Sequence, residues 1–314
     1  MTGRWKGKRV AVLMGGVSRE REISLRTGSA ISAALRRQGC EVVDIDVGWG
    51  AELVGALDRA KPEVALIALH GKFGEDGCVQ GLLEMMRIPY TGGGVMASSV
   101  GMDKIVCKMV ARELGVPCLP EEVFDAERNE PGPFAASLRM EMPVIVKPSR
   151  EGSTINMTIV REARELSPAI EKAMESDSRV LVEKFVQGRE LTVGLINGEA
   201  LPVLEIAPKS GFYDYASKYT KGMTEYIVPA RIGEPLAVEL QRLSRRIYRE
   251  IECEGTARVD FIAPSDDEAY FLEINTIPGM TELSLVPKAA AHVGIGFDEI
   301  CLRLLDNARL KVNV

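Results

Sequence analysis

The chain has 314 residues, 46% of them hydrophobic, with a formal net charge of -6 at pH 7. That length exceeds the usual size of one hydrophobic core, so two or three domains are expected, and Lys and Arg dispersed among Asp and Glu give no basic field for nucleic acid. Two His accompany six Cys with no CxxC pair, which points to reduced thiols rather than a zinc site or a disulfide framework.

The basic start is followed by an apolar run that Gly15-Gly16 closes, with no small-residue cleavage site, and no run approaches the roughly 18 apolar residues a membrane span needs. A cytoplasmic location without a membrane partner is the expectation. Arg9 to Met14 reads as a buried parallel strand, followed by a helix whose stripe Leu25, Gly28, Ile31 and Leu35 repeats at helical spacing until Gly39. Further strands at 41–46 and 63–71 would complete an open α/β sheet in the first hundred residues. Ligands sit beyond the carboxyl ends of strands in such sheets. Glu20, just after the first strand, and His70, ending a later one, face that crevice; the plainer readings are a solvated charge and a satisfied loop histidine. Gly15-Gly16 is not GxGxxG, so a dinucleotide site has little support.

A domain boundary near Gly101 precedes a helix with Asp103 as N-cap, an apolar stripe of Val106, Met109, Val110 and Leu114, and a stop at Gly115 and Pro117. MPVIVKPSREGSTINMTIV (142–160) is a strand ending in Lys147, a loop with Gly152, Ser153 and Thr154, and a second strand. Backbone N–H groups and hydroxyls there suit phosphate oxygens and the ammonium adds charge, although this is no Walker motif. The following strand carries Glu183 and Glu190 around Gln187-Gly188, placed either for ribose hydroxyls or for water. Residues 211–226 are aromatic and aperiodic, which suits an active-site flap or a loop whose tyrosines merely pack. Pro235 opens a helix with Leu236, Leu240, Leu243, Ile247 and Ile251 on one face.

Residues 256–284 carry the densest chemistry. Asp260 is expected to end one alternating strand and Glu273 and Asn275 to leave the next, with i, i+2 spacing aiming them at one face beside Arg258. Two carboxylates and a carboxamide are hard ligands that suit Mg²⁺ sharing nucleotide phosphate oxygens. A solvated hairpin face is the alternative reading of the same spacing.

Six blocks then resemble the D-alanine:D-alanine ligases of the ATP-grasp superfamily: GGVSREREISL (15–25), LHGKFGEDGCVQG (69–81), YTGGGVMASSVGMDK (90–104), VKPSREGST (146–154), FYDYASKY (212–219), and RVDF with LEINTIPGMTELSLVPK (272–288). The resemblance runs from Val10 to Leu305. It implies an α/β chain, α+β in its ATP-grasp part, with an N-terminal open parallel sheet and three domains: 1–101 for substrate, 102–186 central, and 187–314 catalytic with a flap at 207–226. By position, it makes Asp260, Glu273 and Asn275 the ligands of two Mg²⁺ (or Mn²⁺), and Lys104, Lys147 and Lys218 the phosphate lysines. Glu183 and Glu190 match adenosine-binding positions, with Lys184, Phe185 and Val186 reading adenine. Glu20 matches the residue that holds the first substrate's ammonium, grouped with Ser153 and Tyr219, while His70 lies beside that substrate. Arg258 and Gly279 match the oxyanion site, and Ser284 and Leu285 the seat of the second substrate's carboxylate.

The implied activity is ATP-dependent joining of two D-alanines through D-alanyl phosphate, for peptidoglycan precursors, by a homodimer. Tyr219 implies D-alanine rather than D-lactate as second substrate. The chain departs from the family's pattern at Asn156, where many members have Gly, and at Glu282, where a small hydroxyl residue is common. Competing readings are another carboxylate kinase or amino-acid ligase on the same scaffold, and a nucleotide-binding module without turnover.

Overall fold

The computed structural model describes residues 4–208 and 223–312, and within them three sheets converge on one cleft. The first sheet is parallel, in the order β2-β1-β3, from β1 (Arg9–Gly15), β2 (Glu41–Val47) and β3 (Val64–Ile67). Strands β1 and β3 are apolar runs buried on both faces, whereas β2, at the edge, carries Glu41, Asp44 and Asp46 and buries only Ile45 and Val47. Helix α1 (Arg21–Arg37) packs on β1 through the expected stripe. Gly28 is needed there, since a Cβ would stand 2.5 Å from the Met14 Cβ. The strand expected over 63–71 ends at Ile67: Ala68 donates once more to the Leu13 carbonyl, after which β1 pairs with β2 alone. His70 therefore stands in the loop beyond the strand.

After α2 (Gly50–Ala60), α3 (Cys78–Met85) and α4 (Val95–Met102) comes α5 (Lys104–Glu113), capped by the Asp103 carboxylate, which accepts from the N–H groups of Ile105 and Val106. The predicted face of α5 holds in part. Val110 and Leu114 pack half-buried against the core, but Met109 is exposed, and Ile105, Cys107, Lys108 and Ala111 are the fully buried residues, Lys108 with carboxylate and carbonyl partners on other elements.

The second sheet is antiparallel in the order β4-β7-β5-β6, formed by β4 (Glu121–Asp125), β5 (Val144–Pro148), β6 (Thr158–Val160) and β7 (Arg179–Lys184). Helices α6 (Pro131–Ser137) and α7 (Leu166–Met174) cover one face, with Phe124, Phe134, Val146, Ile170 and Val182 in the core between. The third sheet runs β11-β10-β8-β12-β13, with β9 (Glu199–Ala200) on β8 (Arg189–Ile196). Its other strands are β10 (Leu204–Pro208), β11 (Thr224–Ile227), β12 (Thr256–Ala263) and β13 (Tyr270–Asn275). Helix α8 (Glu234–Glu250) lays Leu236, Leu240, Leu243 and Ile247 on this sheet, and α5 joins the same core.

Two last helices, α9 (Leu285–His292) and α10 (Phe297–Asp306), tie the first sheet to the third. Val286, Ala289, Ile300 and Leu304 share one apolar cluster with Val10, Val12, Ile31 and Leu35. No helix among the described residues is long and apolar enough to cross a membrane.

Candidate active site

The cleft between the sheets encloses about 520 Å³. Lys104 opens α5, fixed by the Asp103 cap, and Lys147 stands near the end of β5. The Lys104 ammonium donates to the Glu151 carbonyl at 2.6 Å and lies 3.1 Å from Glu273. Burial presses its pKa down, but Glu273, helped by Glu20 and Glu151, more than offsets this and holds it above the ordinary lysine value. The Lys147 ammonium donates to Glu183 at 2.6 Å. There burial prevails and leaves the lysine below its ordinary value. Burial acts the other way on Glu183, yet Lys147 and Lys108 together keep its carboxyl below the usual range. A lysine held by one carboxylate in a dry wall is a ready partner for a phosphate.

The loop after β5 approaches the first sheet. Ser153 donates its hydroxyl to Glu20 at 2.5 Å, joining residues 133 apart in sequence. Gly152 permits this contact, because a Cβ there would sit 3.0 Å from a Glu20 carboxylate oxygen. Ser153, Thr154 and Asn156 all adopt positive φ, at 51°, 64° and 54°. Asn tolerates that region best of the three, and its amide donates to the Ser176 hydroxyl at 2.8 Å. Behind Glu20, His70 is 5% exposed and held from both sides, by Thr27 at 3.1 Å from Nε2 and by Glu75 at 3.2 Å from Nδ1. Burial raises the Glu75 carboxyl pKa.

The β12–β13 hairpin, on which α5 packs, faces Lys147 and lies beside Lys104. Asp260 pairs with Glu273 and Arg258 with Asn275 across the ladder, so all four side chains share one face. Asp260 lies inside β12 rather than at its end, since the strand continues to Ala263; a register shift follows at Asp260/Phe261. Thr192 on β8 donates to Asp260 at 2.7 Å, extending the polar row over a third strand. Arg258 forks onto Asp260 through Nε at 2.9 Å and Nη2 at 2.7 Å. Asn275 Oδ1 accepts from the Ile277 N–H at 3.0 Å, which orients the carboxamide. Among the described residues no three His, Cys, Asp or Glu side chains gather as metal ligands. The oxygen set of Asp260, Glu273 and Asn275 nonetheless fits a hard cation that completes its shell with water or phosphate oxygens.

Below the hairpin, Gly279 lies against Ser284, whose hydroxyl would be 3.3 Å from a Cβ at that glycine. Ser284 is the N-cap residue of α9, its hydroxyl accepting from the Thr281 N–H at 3.0 Å, and Leu285 opens the helix.

One cleft thus gathers every predicted site residue that is described: Glu20, His70, Lys104, Lys147, Ser153, Glu183, Lys184, Phe185, Val186, Glu190, Arg258, Asp260, Glu273, Asn275, Gly279, Ser284 and Leu285. Lys218 and Tyr219 lie outside the described residues, as does most of the predicted flap; its flanks β10 and β11 pair antiparallel from Glu205–Ile227 to Pro208–Thr224. Sequence reasoning missed Thr27, Glu75, Lys108 and Thr192. Glu75 stands in the GEDG run beside His70 and could have been noticed, but an isolated Lys inside a helix and a Thr inside a strand give no local signal.

Two antiparallel sheets closing on a cleft lined by lysines and an oxygen cluster define the ATP-grasp class. Profiles of a family described as D-ala D-ala ligase match its C-terminus over residues 110–306 and its N-terminus over residues 50–93. A D-alanine–D-alanine ligase of Syntrophotalea carbinolica is 51% identical over 304 residues, covering 97% of each chain. The D-alanine–D-alanine ligase from Bacillus anthracis, solved complexed with ATP, superposes with a TM-score of 0.82 at 33% identity over 96% of each chain. VanG D-Ala:D-Ser ligase from Enterococcus faecalis superposes with a TM-score of 0.82 at 28% identity, covering 96% of this chain and 99% of its own. The chain belongs to the D-alanine:D-alanine ligase family.

Proposed function

We propose that the protein joins two D-alanines to D-alanyl-D-alanine at the expense of ATP, for peptidoglycan precursor synthesis. The observation that carries this reading is the convergence, in one cleft, of Lys104 and Lys147, the Arg258/Asp260/Glu273/Asn275 face and the Glu20–Ser153 pair. The name of the relative at 51% identity supports the same activity.

In this reading the nucleotide lies between the second and third sheets, with Lys184 to Val186 and Glu190 along the adenosine, and Lys104, Lys147 and Lys218 on the phosphates. Glu20, steadied by Ser153 and Tyr219, takes the first D-alanine's ammonium beside His70. One carboxylate oxygen of that D-alanine attacks the γ-phosphorus, ADP leaves, and an acyl phosphate results. The second D-alanine, its carboxylate at Ser284 and Leu285, attacks the acyl carbon through its free amine; Arg258 and the Gly279 N–H stabilise the tetrahedral oxyanion, and phosphate departs. Asp260, Glu273 and Asn275 would hold two Mg²⁺ (or Mn²⁺), which supply charge neutralisation on the phosphates. Residues 1–101, 102–186 and 187–314 form the three domains of this scheme, in a cytoplasmic homodimer.

The test is phosphate release with ATP, Mg²⁺ and a panel of D- and L-amino acids and D-lactate, with products identified by mass. D-alanyl-D-alanine as the main product is expected. A main product ending in D-serine or D-lactate would overturn the second-substrate assignment, and phosphate release without a dipeptide would point instead to a carboxylate kinase.

A further inference from the structure

Lys108 is the most deeply buried lysine among the described residues. Its side chain is 0% exposed, it stands on the inner face of α5, and it does not line the cleft. It ion-pairs with one oxygen of Glu183 and donates to the Phe271 carbonyl at 3.1 Å, with Glu121 at 3.8 Å. The other oxygen of Glu183 takes Lys147 at 2.6 Å, and Glu121 is paired in turn with Arg112. Three cations therefore face two carboxylates. Of the three, Lys147 is the one that lines the cleft.

We propose that Lys108 is a positioning residue for nucleotide binding: it is the permanent counter-charge of Glu183, which frees Lys147 to turn from that carboxylate to a nucleotide phosphate. The proposal rests on reading Lys147 as a phosphate lysine. A buried carboxylate stripped of its last partner is strongly destabilising. With a neutral side chain at 108, Lys147 and Glu183 would form a closed one-to-one pair, and Lys147 could reach a phosphate only by abandoning a carboxylate that is 1% exposed. With Lys108 in place, two cations remain with two carboxylates after Lys147 departs, and the surplus charge is the one an anionic ligand would neutralise. The low Glu183 pKa, to which both lysines contribute, agrees with double pairing.

The test compares direct binding of ATP and of adenosine, which has no phosphates, to the full-length protein. Wild type should prefer ATP, and Lys147→Met should erase that preference; if it does not, the reading of Lys147 fails independently of Lys108. In Lys108→Met the ATP-to-adenosine affinity ratio should fall by about tenfold or more, the scale of a buried charge left alone. Lys108→Arg should retain the ratio. Adding Lys108→Met to Glu183→Gln should change it by less than about twofold, because no carboxylate is left to strand. If Lys108→Met does not fold, Lys108→Gln, which still donates to Phe271 but carries no charge, must show the same fall. An unchanged ratio, or equal losses for ATP and adenosine that persist in the Glu183→Gln background, would reduce Lys108 to a packing residue.

Discussion

Single side chains on the hairpin face carry the sharpest consequences. In Glu273→Gln a carboxylate that could neutralise a cation becomes an amide, and turnover should fall by about 10²-fold or more at saturating Mg²⁺. The melting temperature should fall by no more than a few degrees, because this side chain is 34% exposed and Lys104, which loses its ion-pair partner, keeps its hydrogen bond to the Glu151 carbonyl. For Arg258→Lys, kcat should fall by about 10²–10³, since a point charge does not reproduce a fork that reaches two oxygens of Asp260 while facing the cleft. Steady-state kinetics with D-alanine decide both, and a kcat within twofold of wild type would remove the residue from the chemistry. Away from the cleft, Asp177 is buried beneath Arg150 and accepts from its Nη2 at 2.6 Å. Burial works against the Asp177 carboxylate, but Arg150 and the Arg179 N–H more than offset it, so its pKa lies below the usual range. A depressed folded pKa adds stability above the unfolded value that is lost as pH falls through the folded one. Asp177→Asn should therefore cost about 1–3 kcal/mol at neutral pH, with the gap to wild type closing below about pH 4. Denaturant unfolding at pH 7 and pH 3 checks the sign.

At the scale of elements, the loop after β5 shows how far sequence reasoning reaches. Lys147, Gly152 and Ser153 were legible as a phosphate-type loop because residue type and spacing are local. The departure at Asn156 resolves without penalty: the position has φ of 54°, which Asn accepts and Gly accepts equally well. Asn156→Gly should leave kcat and KM within about twofold and lower stability by less than about 1 kcal/mol, through the lost Ser176 contact. A tenfold change in either constant would mean that the asparagine side chain acts on the ligand. The face of α5 was legible only in part, for a complementary reason: Val110 and Leu114 do pack on the core, but Met109 does not. Its apolar residues suggested Val106, Met109, Val110 and Leu114 as the inner stripe, yet the partner that draws Lys108 inward, Glu183, is 75 residues away and no local pattern announces it. The hairpin face, by contrast, follows from alternation alone, and only its end was misplaced, since β12 runs on past Asp260 to pair with β8 as far as Ala263–Arg189.

Across the whole molecule, the cleft exists because the chain returns on itself. Helices α9 and α10, late in sequence, fill the core of the first sheet, which places Ser284 and Leu285 opposite Glu20 and His70. That closure was not readable from composition or periodicity, whereas the parallel first sheet and the α8 stripe were. Ile300 is fully buried in the shared cluster, so Ile300→Ala should destabilise the protein by about 2–5 kcal/mol. The KM for ATP should stay within twofold, because Lys147 and the hairpin lie on the other two sheets and Lys104 on α5. Thermal unfolding and ATP titration separate the two effects. Activation of a carboxylate by phosphorylation in this cleft is decided by the fate of the carboxylate oxygens. With D-alanine labelled by ¹⁸O in both carboxylate oxygens, the oxygen that attacks the γ-phosphorus leaves with phosphate when the second amine displaces it. Mass analysis should find one labelled oxygen in each phosphate released and none in ADP; unlabelled phosphate, or label in a nucleotide monophosphate, would exclude an acyl phosphate.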